Sequence, residues 1–562
     1  MSRFFSNDSN MPKTDRSAPQ FYRFLRELLA ISCVFFIAFV IRYGYVSAFL
    51  GFFPHALQPA NDAKVYWELG ITIYQKGWLP ADIIPFYQAP LYPYLLALLH
   101  HAGIHGVEEV IRLQVLLGVI NVLLCYGLAR FWLSRTAAIA AAWLYAACHL
   151  PLFFESKILA TTAGAFLFLL FCIVFLFWLN DRKTCVLIVS ALIFSLACAC
   201  CPPFLFTLPF ILIFLLVQQK SERKSFLLPA FVFTTAFLIG LLPIPLVNMV
   251  IGGDFVPISA NSGVTLYMGN NPQAQGGLAP IAGLSNDIEK QYSGSIELAS
   301  QLAGKPLKPS QASTFWIHKT MKWIAFHPFQ FVVLELKKIM WSVYHTPPAV
   351  NYSFYFESEW IRGIVWLSLI SWFALAAGIA AIPLLLIQKH PSTTFLLYLI
   401  GGYILLSLVY YASDRFLAAM MPIVSIVAVS FFTQLRNHAN RRWFWATFAI
   451  AGCFAANPFL ADNIIREIGM GWYNDGVSCE QRGNNEAARQ SYERSLQYAP
   501  NFSSSLLNLG VLYARRNELD RSNQLFRQVL ELEPNNHTAR DNLIINLRRQ
   551  GREKEVHELG KE

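Results

Sequence analysis

Apolar residues come in long blocks along most of this chain, separated by short polar stretches, and the pattern changes after about position 462. Apolar runs occur near 28–50, 110–133, 136–153, 158–179, 184–201, 203–218, 226–248, 362–387, 393–411, 415–433 and 443–461. Runs of about 17–25 such residues predict membrane-spanning helices. The run "LYPYLLALLHH" (91–101) is too short to cross and reads as interfacial. Between the first two spans lies "PANDAKVYWELG" (59–70), which gathers Asn61, Asp62, Lys64, Tyr66 and Glu68 within eight residues, shortly after the first apolar run.

Charge orients these spans. Arg135 and Arg182/Lys183 bracket one apolar stretch that has Glu155 and Lys157 at its middle. Arg182/Lys183 and Lys220/Arg223/Lys224 bracket a second, centred on Pro202-Pro203. Lys389 and Arg436/Arg441/Arg442 bracket a third, centred on Asp414-Arg415. Basic clusters mark cytoplasmic ends, so each stretch reads as a two-span hairpin with its tip facing outward. Arg3, Lys13, Arg16, Arg23 and Arg26 put the basic N-terminus, residues 1–27, inside. No small-residue cleavage site follows the first run, so it reads as a retained span rather than a signal peptide. The expectation is eleven spans within 28–462, outer loops at 51–109 and 250–360, and an extracytoplasmic segment 463–562. On this reading Asp62, Glu155 and Arg415 all reach the same outer face. Charges near bilayer depth are expensive and are usually retained for function.

Composition agrees with a multi-pass membrane protein. Of 562 residues, 55% are hydrophobic and only 14% charged, against about 25% for a soluble domain. The net charge of +10 is therefore read as topology rather than as nucleic-acid binding. Most of the ten cysteines lie in or beside apolar runs, with neither a paired framework nor metal-ligand spacing.

Residues 470–562 are charged, helical and repetitive. Gly476 recurs as Gly510, Ala488 as Ser522, Tyr492 as Phe526 and Pro500 as Pro534, each 34 residues on. Gly483, Asn517 and Gly551 share a turn position with the same spacing. The period resembles the tetratricopeptide repeat, with a third, incomplete repeat from about 537. Two and a half repeats are few for independent stability. The expectation is a domain that leans on the rest of the chain or self-associates, and that binds a peptide or protein partner.

"NDAKVYWELG", "FYQAPLYPYLLALLH" and "FFESKILATT" together resemble the GT-C superfamily of membrane glycosyltransferases, which use lipid-phosphate-linked sugars. Protein O-mannosyltransferases and aminoarabinose transferases belong to that group. "SGVTLYMGNNPQAQGG" (262–277), "WIAFHPFQFVVLELKKIMW" (323–341) and "YASDRFLAAMMPI" (411–423) are similar to its bacterial branch, which often ends in tetratricopeptide repeats. The resemblance covers roughly 20–460. It implies an all-α fold, a polyprenyl-phosphate-sugar donor and an extracytoplasmic lipid, glycan or protein acceptor.

It also implies that Asp62 is the catalytic carboxylate of the first outer loop. Phosphate already makes the donor's sugar reactive, so the enzyme needs a base for the acceptor hydroxyl and positive charge at the leaving phosphate. Direct attack would invert the anomeric centre. A helix N-cap for 63–74 is the structural alternative for Asp62. Glu155 is expected to orient the acceptor, hold Lys157 or help bind a divalent metal; no cofactor is otherwise implied. Arg415 is the candidate phosphate ligand, because a guanidinium forks onto phosphate oxygens; pairing with Asp414 is its alternative. Relatives often carry a second Arg two residues later, where this chain has Leu417. Lys64, Arg112, Lys337 and Lys338 are candidates to compensate. Tyr66 and Lys64 beside Asp62 are further substrate-binding candidates.

The stretch 262–277 reads as a tight loop over the sugar, with Tyr267 and Asn270 as candidate contacts. His327-Pro328 breaks an amphipathic pattern over 313–345, where Lys337 and Lys338 argue against a span. Two rival readings stay open. One is an O-antigen ligase or polymerase-like enzyme with a diphosphate-linked oligosaccharide donor, which would want more Arg in the outer loops. The other is a non-enzymatic flippase or scaffold, which would want facing polar residues at mid-membrane.

Overall fold

The computed structural model describes residues 20–53, 55–221, 227–284, 288–361, 363–388, 390–435, 441–455 and 462–559. Arg3, Lys13, Arg16, Arg223, Lys224, Lys389 and Arg436, which oriented the predicted hairpins, lie outside the described residues. The chain is helical throughout, and no strand occurs among the described residues. It divides into two compact units, one of residues 1–351 and 363–456, the other of 352–362 and 457–562.

In the first unit the described part of each predicted apolar run is mostly helical, but the helices differ in length. Among the described residues, seven helical stretches are long and apolar enough to cross a bilayer: Phe24–Phe52, Val107–Ala129, Thr161–Asp181, Leu227–Val250, Ile364–Ile387, Pro391–Val409 and Asp414–Thr433. The run predicted as a span over 136–153 is two helices, Arg135–Ala147 and His149–Glu155, bent by 56° at Cys148. Counting that pair gives eight. The three other predicted spans, Thr184–Cys200, Pro202–Gln218 and Trp445–Ala455, are helical but shorter.

Large aromatic side chains fill the core of this unit. Phe168, Phe171, Phe175, Phe194, Phe214 and Phe395 are all buried. Phe175 stacks on Phe395 at 4.6 Å and Phe168 on Phe204 at 4.2 Å. Dispersion between close-packed rings holds such helices together where lipid removes the hydrophobic driving force. Near the start of the first helix, buried Glu27 accepts hydrogen bonds from Arg130 (2.9 Å), Arg135 (3.0 Å) and the Tyr126 hydroxyl.

Outside the spans, the helix Ser262–Gly269 packs with Ile288–Ala303 and Pro309–Phe326 around Val264, Met268, Ala299, Ala312 and Trp316. The predicted break at His327-Pro328 is real: Pro309–Phe326 ends there and Pro328–Ser342 begins. Proline suits the first turn of a helix and cannot continue the one before it.

The second unit stacks helix pairs. Asp462–Gln481 with Asn485–Tyr498, Ser503–Arg515 with Leu519–Leu532, and His537–Arg549 with the shorter Glu553–Leu559 follow one another. The 34-residue pattern has the geometry expected of it. A Cβ on Gly476 would lie 2.5 Å from the Tyr492 ring, and one on Gly510 would lie 2.7 Å from the Phe526 ring. Gly483, Asn517 and Gly551 all adopt positive φ, at 75°, 63° and 70°, the left-handed conformation that glycine and asparagine tolerate best. The strap 352–362 completes the unit: the Phe356 ring packs edge-on to Trp472 at 5.2 Å, and Glu359 accepts from Trp472 Nε1 at 2.8 Å.

Candidate active site

The helix Asn61–Lys76 carries the first conspicuous carboxylate. Ala60, not Asp62, is at the cap, and no side chain caps the helix. The N-cap alternative for Asp62 is thus corrected: the helix starts earlier than 63, and Asp62 lies in its first turn. A negative charge there complements the positive end of the helix dipole. Gly70 lies so close to the helix Leu91–His101 that a Cβ would come within 2.7 Å of the Leu96 Cβ. Tyr66 meets Tyr92 edge-to-face at 5.3 Å. Tyr92 donates to Gln114 Oε1 at 2.6 Å, and Gln114 Nε2 donates to the backbone carbonyls of Glu155 and Lys157. The loop after the first span is therefore bolted to the turn that follows the bent helix pair.

Arg415 enters from the far end of the sequence. It is the second residue of the helix Asp414–Leu435. Its Nη1 donates to Asp62 Oδ2 at 2.7 Å, a pair 353 positions apart in sequence. Gln88 Nε2 donates to the other carboxylate oxygen at 3.3 Å. Asp414 does not hold the guanidinium. Its carboxylate accepts from the Ser413 hydroxyl at 3.1 Å and the Arg415 backbone N–H at 2.7 Å, closing the helix's own first turn. Arg415 Nε and Nη2 are buried and have no hydrogen-bond partner. Buried donors left unpaired cost about 1–3 kcal/mol each, and these two belong to a residue on the wall of a cavity.

That cavity is about 360 Å³ and is lined by Asp62, Tyr66, Tyr87, Gln88, Ser262, Tyr411 and Arg415, among others. Arg415 is the one Lys or Arg among the described residues that line it. Burial pushes the Tyr66 and Tyr87 phenols up, and the nearby Asp62 charge adds to both, so both remain hydroxyl donors at neutral pH. Asn61 and Asn351 at its rim hold positive φ of 50° and 77°, and Asn61 Nδ2 donates to the Asn351 carbonyl at 3.2 Å. Left-handed non-glycine residues of this kind tend to collect at functional sites.

The stretch 262–277 opens with a helix rather than a loop, and its role differs from the expected one. Ser262, Val264, Thr265 and Met268 line the cavity, but Tyr267 and Asn270 do not. Tyr267 stacks toward Trp316 at 5.2 Å. Asn270 is buried, donates to the Leu266 and Val409 carbonyls, and accepts from Lys338 Nζ at 2.7 Å. A Cβ on Gly269 would lie 1.9 Å from the Tyr410 carbonyl oxygen. The Gly/Asn composition thus serves backbone docking: it fixes the Tyr410–Ser413 turn, which aims Arg415.

Glu155 is not in this site. It is buried, accepts from Arg42 Nε at 3.1 Å, and does not line the cavity. Arg42 Nη1 also donates to the Ala146 carbonyl at 2.8 Å. Lys157, expected beside Glu155, has its Nζ 3.9 Å from the centre of the Phe49 ring and donates to Ser156 Oγ. Lys64 pairs loosely with Glu68 at 3.8 Å. Arg112 pairs with Glu108, Lys337 bonds Gln275, and Lys338 bonds Asn270, Glu335 and the Leu408 carbonyl. None of these four cations lines the cavity, and Leu417 is fully buried. The clearest residue sequence reasoning missed is Gln88, which stands inside a quoted motif; only its hydrogen bond to Asp62 singles it out.

Residues 87–247 match the family model described as dolichyl-phosphate-mannose-protein mannosyltransferase. Residues 471–502 and 503–536 match the tetratricopeptide repeat model. No curated protein matches the chain. Among solved structures, the apo oligosaccharyltransferase of Archaeoglobus fulgidus is similar, with a TM-score of 0.42 and 14% identity over 80% of this chain. The alignment spans only 57% of that structure's chain. The match to the mannosyltransferase model lies within the first unit of this integral membrane protein, and the repeat matches lie in the other unit. The first match begins after Asp62 and ends before Arg415, so the pairing of these two residues is the structure's own contribution.

Proposed function

We propose that this protein is a membrane glycosyltransferase that moves a sugar from a polyprenyl-phosphate donor to a hydroxyl acceptor at the extracytoplasmic face. One observation carries the reading: Asp62 and Arg415, 353 residues apart, meet at 2.7 Å on the wall of one cavity. The acceptor oxygen attacks the anomeric carbon while Asp62 takes its proton. The bond from that carbon to the phosphate oxygen breaks, and the lipid phosphate leaves with the electron pair. Arg415, at the positive end of its helix, stabilises the growing charge. Attack opposite the leaving phosphate inverts the anomeric centre. Gln88 holds the carboxylate, and Tyr66 and Tyr87 offer hydroxyl hydrogen bonds to the sugar.

A single lining cation favours a monophosphate donor, which carries one negative charge, over a diphosphate-linked oligosaccharide. The residues between the spans and the matched family model favour an enzyme over a flippase. The repeats, on this reading, recruit a protein or peptide partner at the same face.

The test is to supply the purified full-length protein with a panel of radiolabelled polyprenyl-phosphate hexoses and pentoses, with an extract of envelope glycolipids, glycans and proteins as the acceptor source, and follow release of free lipid phosphate. Arg415→Lys keeps the charge but loses the fork, so partial turnover is expected. Arg415→Ala should weaken apparent donor affinity and rate together. Unchanged donor dependence in Arg415→Ala would remove the phosphate role, and no consumption of any donor would remove the reading.

A further inference from the structure

Two helix starts carry the site, and one short segment bonds to both. Asp62 lies in the first turn of Asn61–Lys76, and Arg415 lies in the first turn of Asp414–Leu435. The carbonyl of Pro348 accepts from the Asp414 backbone N–H at 3.4 Å. The Val350 backbone N–H bonds to the Asp414 carboxylate. One residue on, the Asn351 carbonyl accepts from Asn61 Nδ2 at 3.2 Å. Val350 and Asn351 also line the cavity. A helix leaves its first backbone N–H groups without partners of its own, so an outside carbonyl at one of them pins where that helix begins.

The sequence "TPPAVN" (346–351) prepares this segment for the task. Proline holds φ near −65° and has no N–H, so the backbone of Pro348 can meet a neighbour only as an acceptor. A Cβ on Gly277 would lie 2.8 Å from the Pro348 Cβ, and the Gly276 carbonyl accepts from the Ala412 N–H at 2.9 Å. The same glycine pair therefore backs both the segment and the turn before Arg415. Asn351 and Asn61 hold φ of 77° and 50°. Asparagine tolerates that left-handed backbone, and a β-branched residue does not. Asn61 immediately precedes Asp62, so its restraint acts on the carboxylate's own turn.

We propose that residues 348–351 form a clasp that sets the separation of Asp62 and Arg415, with Asn61, Asn351 and Asp414 as its positioning residues. Its role presupposes the reaction assigned to this pair above, and it concerns what holds the pair rather than what the pair binds. Asn61 places the carboxylate that takes the acceptor proton. Asp414 places the guanidinium that meets the phosphate. A misplacement of about 1 Å near reacting groups costs about 10²-fold in rate. The two ends of the clasp therefore fail differently: the Asn61 end costs rate, and the Asp414 end costs donor affinity as well.

The test combines hydrogen exchange with kinetics on the purified full-length protein. Valine at 351 opposes the left-handed backbone, whereas glycine accepts it. In Asn351→Val, amide exchange in the peptides 61–70 and 411–420 should quicken together, and turnover should fall on the order of 10²-fold. Asn351→Gly should bring both back toward wild type. Asn61→Ala should lower kcat by about tenfold, the worth of one hydrogen bond, with apparent donor KM unchanged; Asp414→Ala should raise that KM. Quickened exchange in only one of the two peptides would show that the segment does not join the helix starts, and would overturn the clasp. Coupled exchange with wild-type turnover would overturn the positioning role, and so would an Asn351→Gly variant as impaired as Asn351→Val. Exchange needs no substrate, so it judges the clasp even where the wild type consumes no donor, the outcome that removes the glycosyltransferase reading itself.

Discussion

Among the arginine–carboxylate pairs that cross-link distant parts of the membrane unit, two live in opposite surroundings. Arg42 and Glu155 are side chains 0% and 3% exposed, joined at 3.1 Å inside the bundle, and neither lines the Asp62 cavity. Arg415 and Asp62 are 20% and 13% exposed, joined at 2.7 Å, and both face a cavity. A pair sealed on all sides has no route to a substrate, and its members act on each other. A pair with an open side can exchange its partner for a ligand. The chemistry of the side chains is the same in both; access separates a structural pair from a reactive one.

The comparison breaks most sharply on charge removal at the open pair. Asp62→Asn keeps the size of the side chain but cannot take a proton, so turnover should fall by about 10²–10⁴-fold. The thermal midpoint in detergent should stay near wild type. Wild-type turnover in the variant would take Asp62 out of the mechanism.

The sealed pair should fail in the other direction. Glu155→Leu leaves Arg42 buried without its counter-charge, a loss of about 3–5 kcal/mol, seen as poor accumulation in the membrane and a lower midpoint. The fraction that folds should keep its turnover. Arg42→Leu combined with Glu155→Leu should recover most of the lost stability, because removing both charges also removes both desolvation penalties. If the double variant folds but does not turn over, Glu155 belongs to the chemistry after all.

A subtler change sharpens the role of the positioning residue between the pairs. Gln88→Leu removes the second hydrogen bond to Asp62 and should lower turnover by about 10–100-fold, in line with about 1.5–3 kcal/mol for a hydrogen bond to a charged group. Apparent donor affinity should hold, and Gln88→Glu should not rescue the rate. A change in donor affinity alone would make Gln88 a sugar ligand instead.

The smallest effect belongs to a pair with no shelter at all. Lys64 and Glu68 stand 37% and 55% exposed at 3.8 Å, where an ion pair is worth about 0–1 kcal/mol. Lys64→Ala should leave donor dependence and midpoint within error. A marked loss of donor affinity would restore Lys64 as a phosphate ligand.

Sequence reading reached the repeats almost residue by residue, because their geometry is local. A 34-residue period fixes which positions face each other across a helix pair, and Gly483, Asn517 and Gly551 occupy the left-handed turns that their chemistry permits. The apolar runs likewise became helices, since a backbone in lipid has no other way to satisfy its own polar groups. Asp62 and Arg415 were legible as chemically unusual residues beside spans, but their meeting was not. It depends on how two helix starts 353 residues apart are brought together, and a one-dimensional pattern does not encode that distance. The same limit misplaced Glu155, Tyr267 and Asn270. Each had a plausible composition around it, but bundle packing turned Glu155 to Arg42 and Asn270 to Lys338, inside protein and away from the cavity. Side-chain type and periodicity were the sequence's to determine. Which charges share a cavity and which are sealed was decided only by tertiary packing, because burial and access are properties of neighbours that the chain brings together from far away.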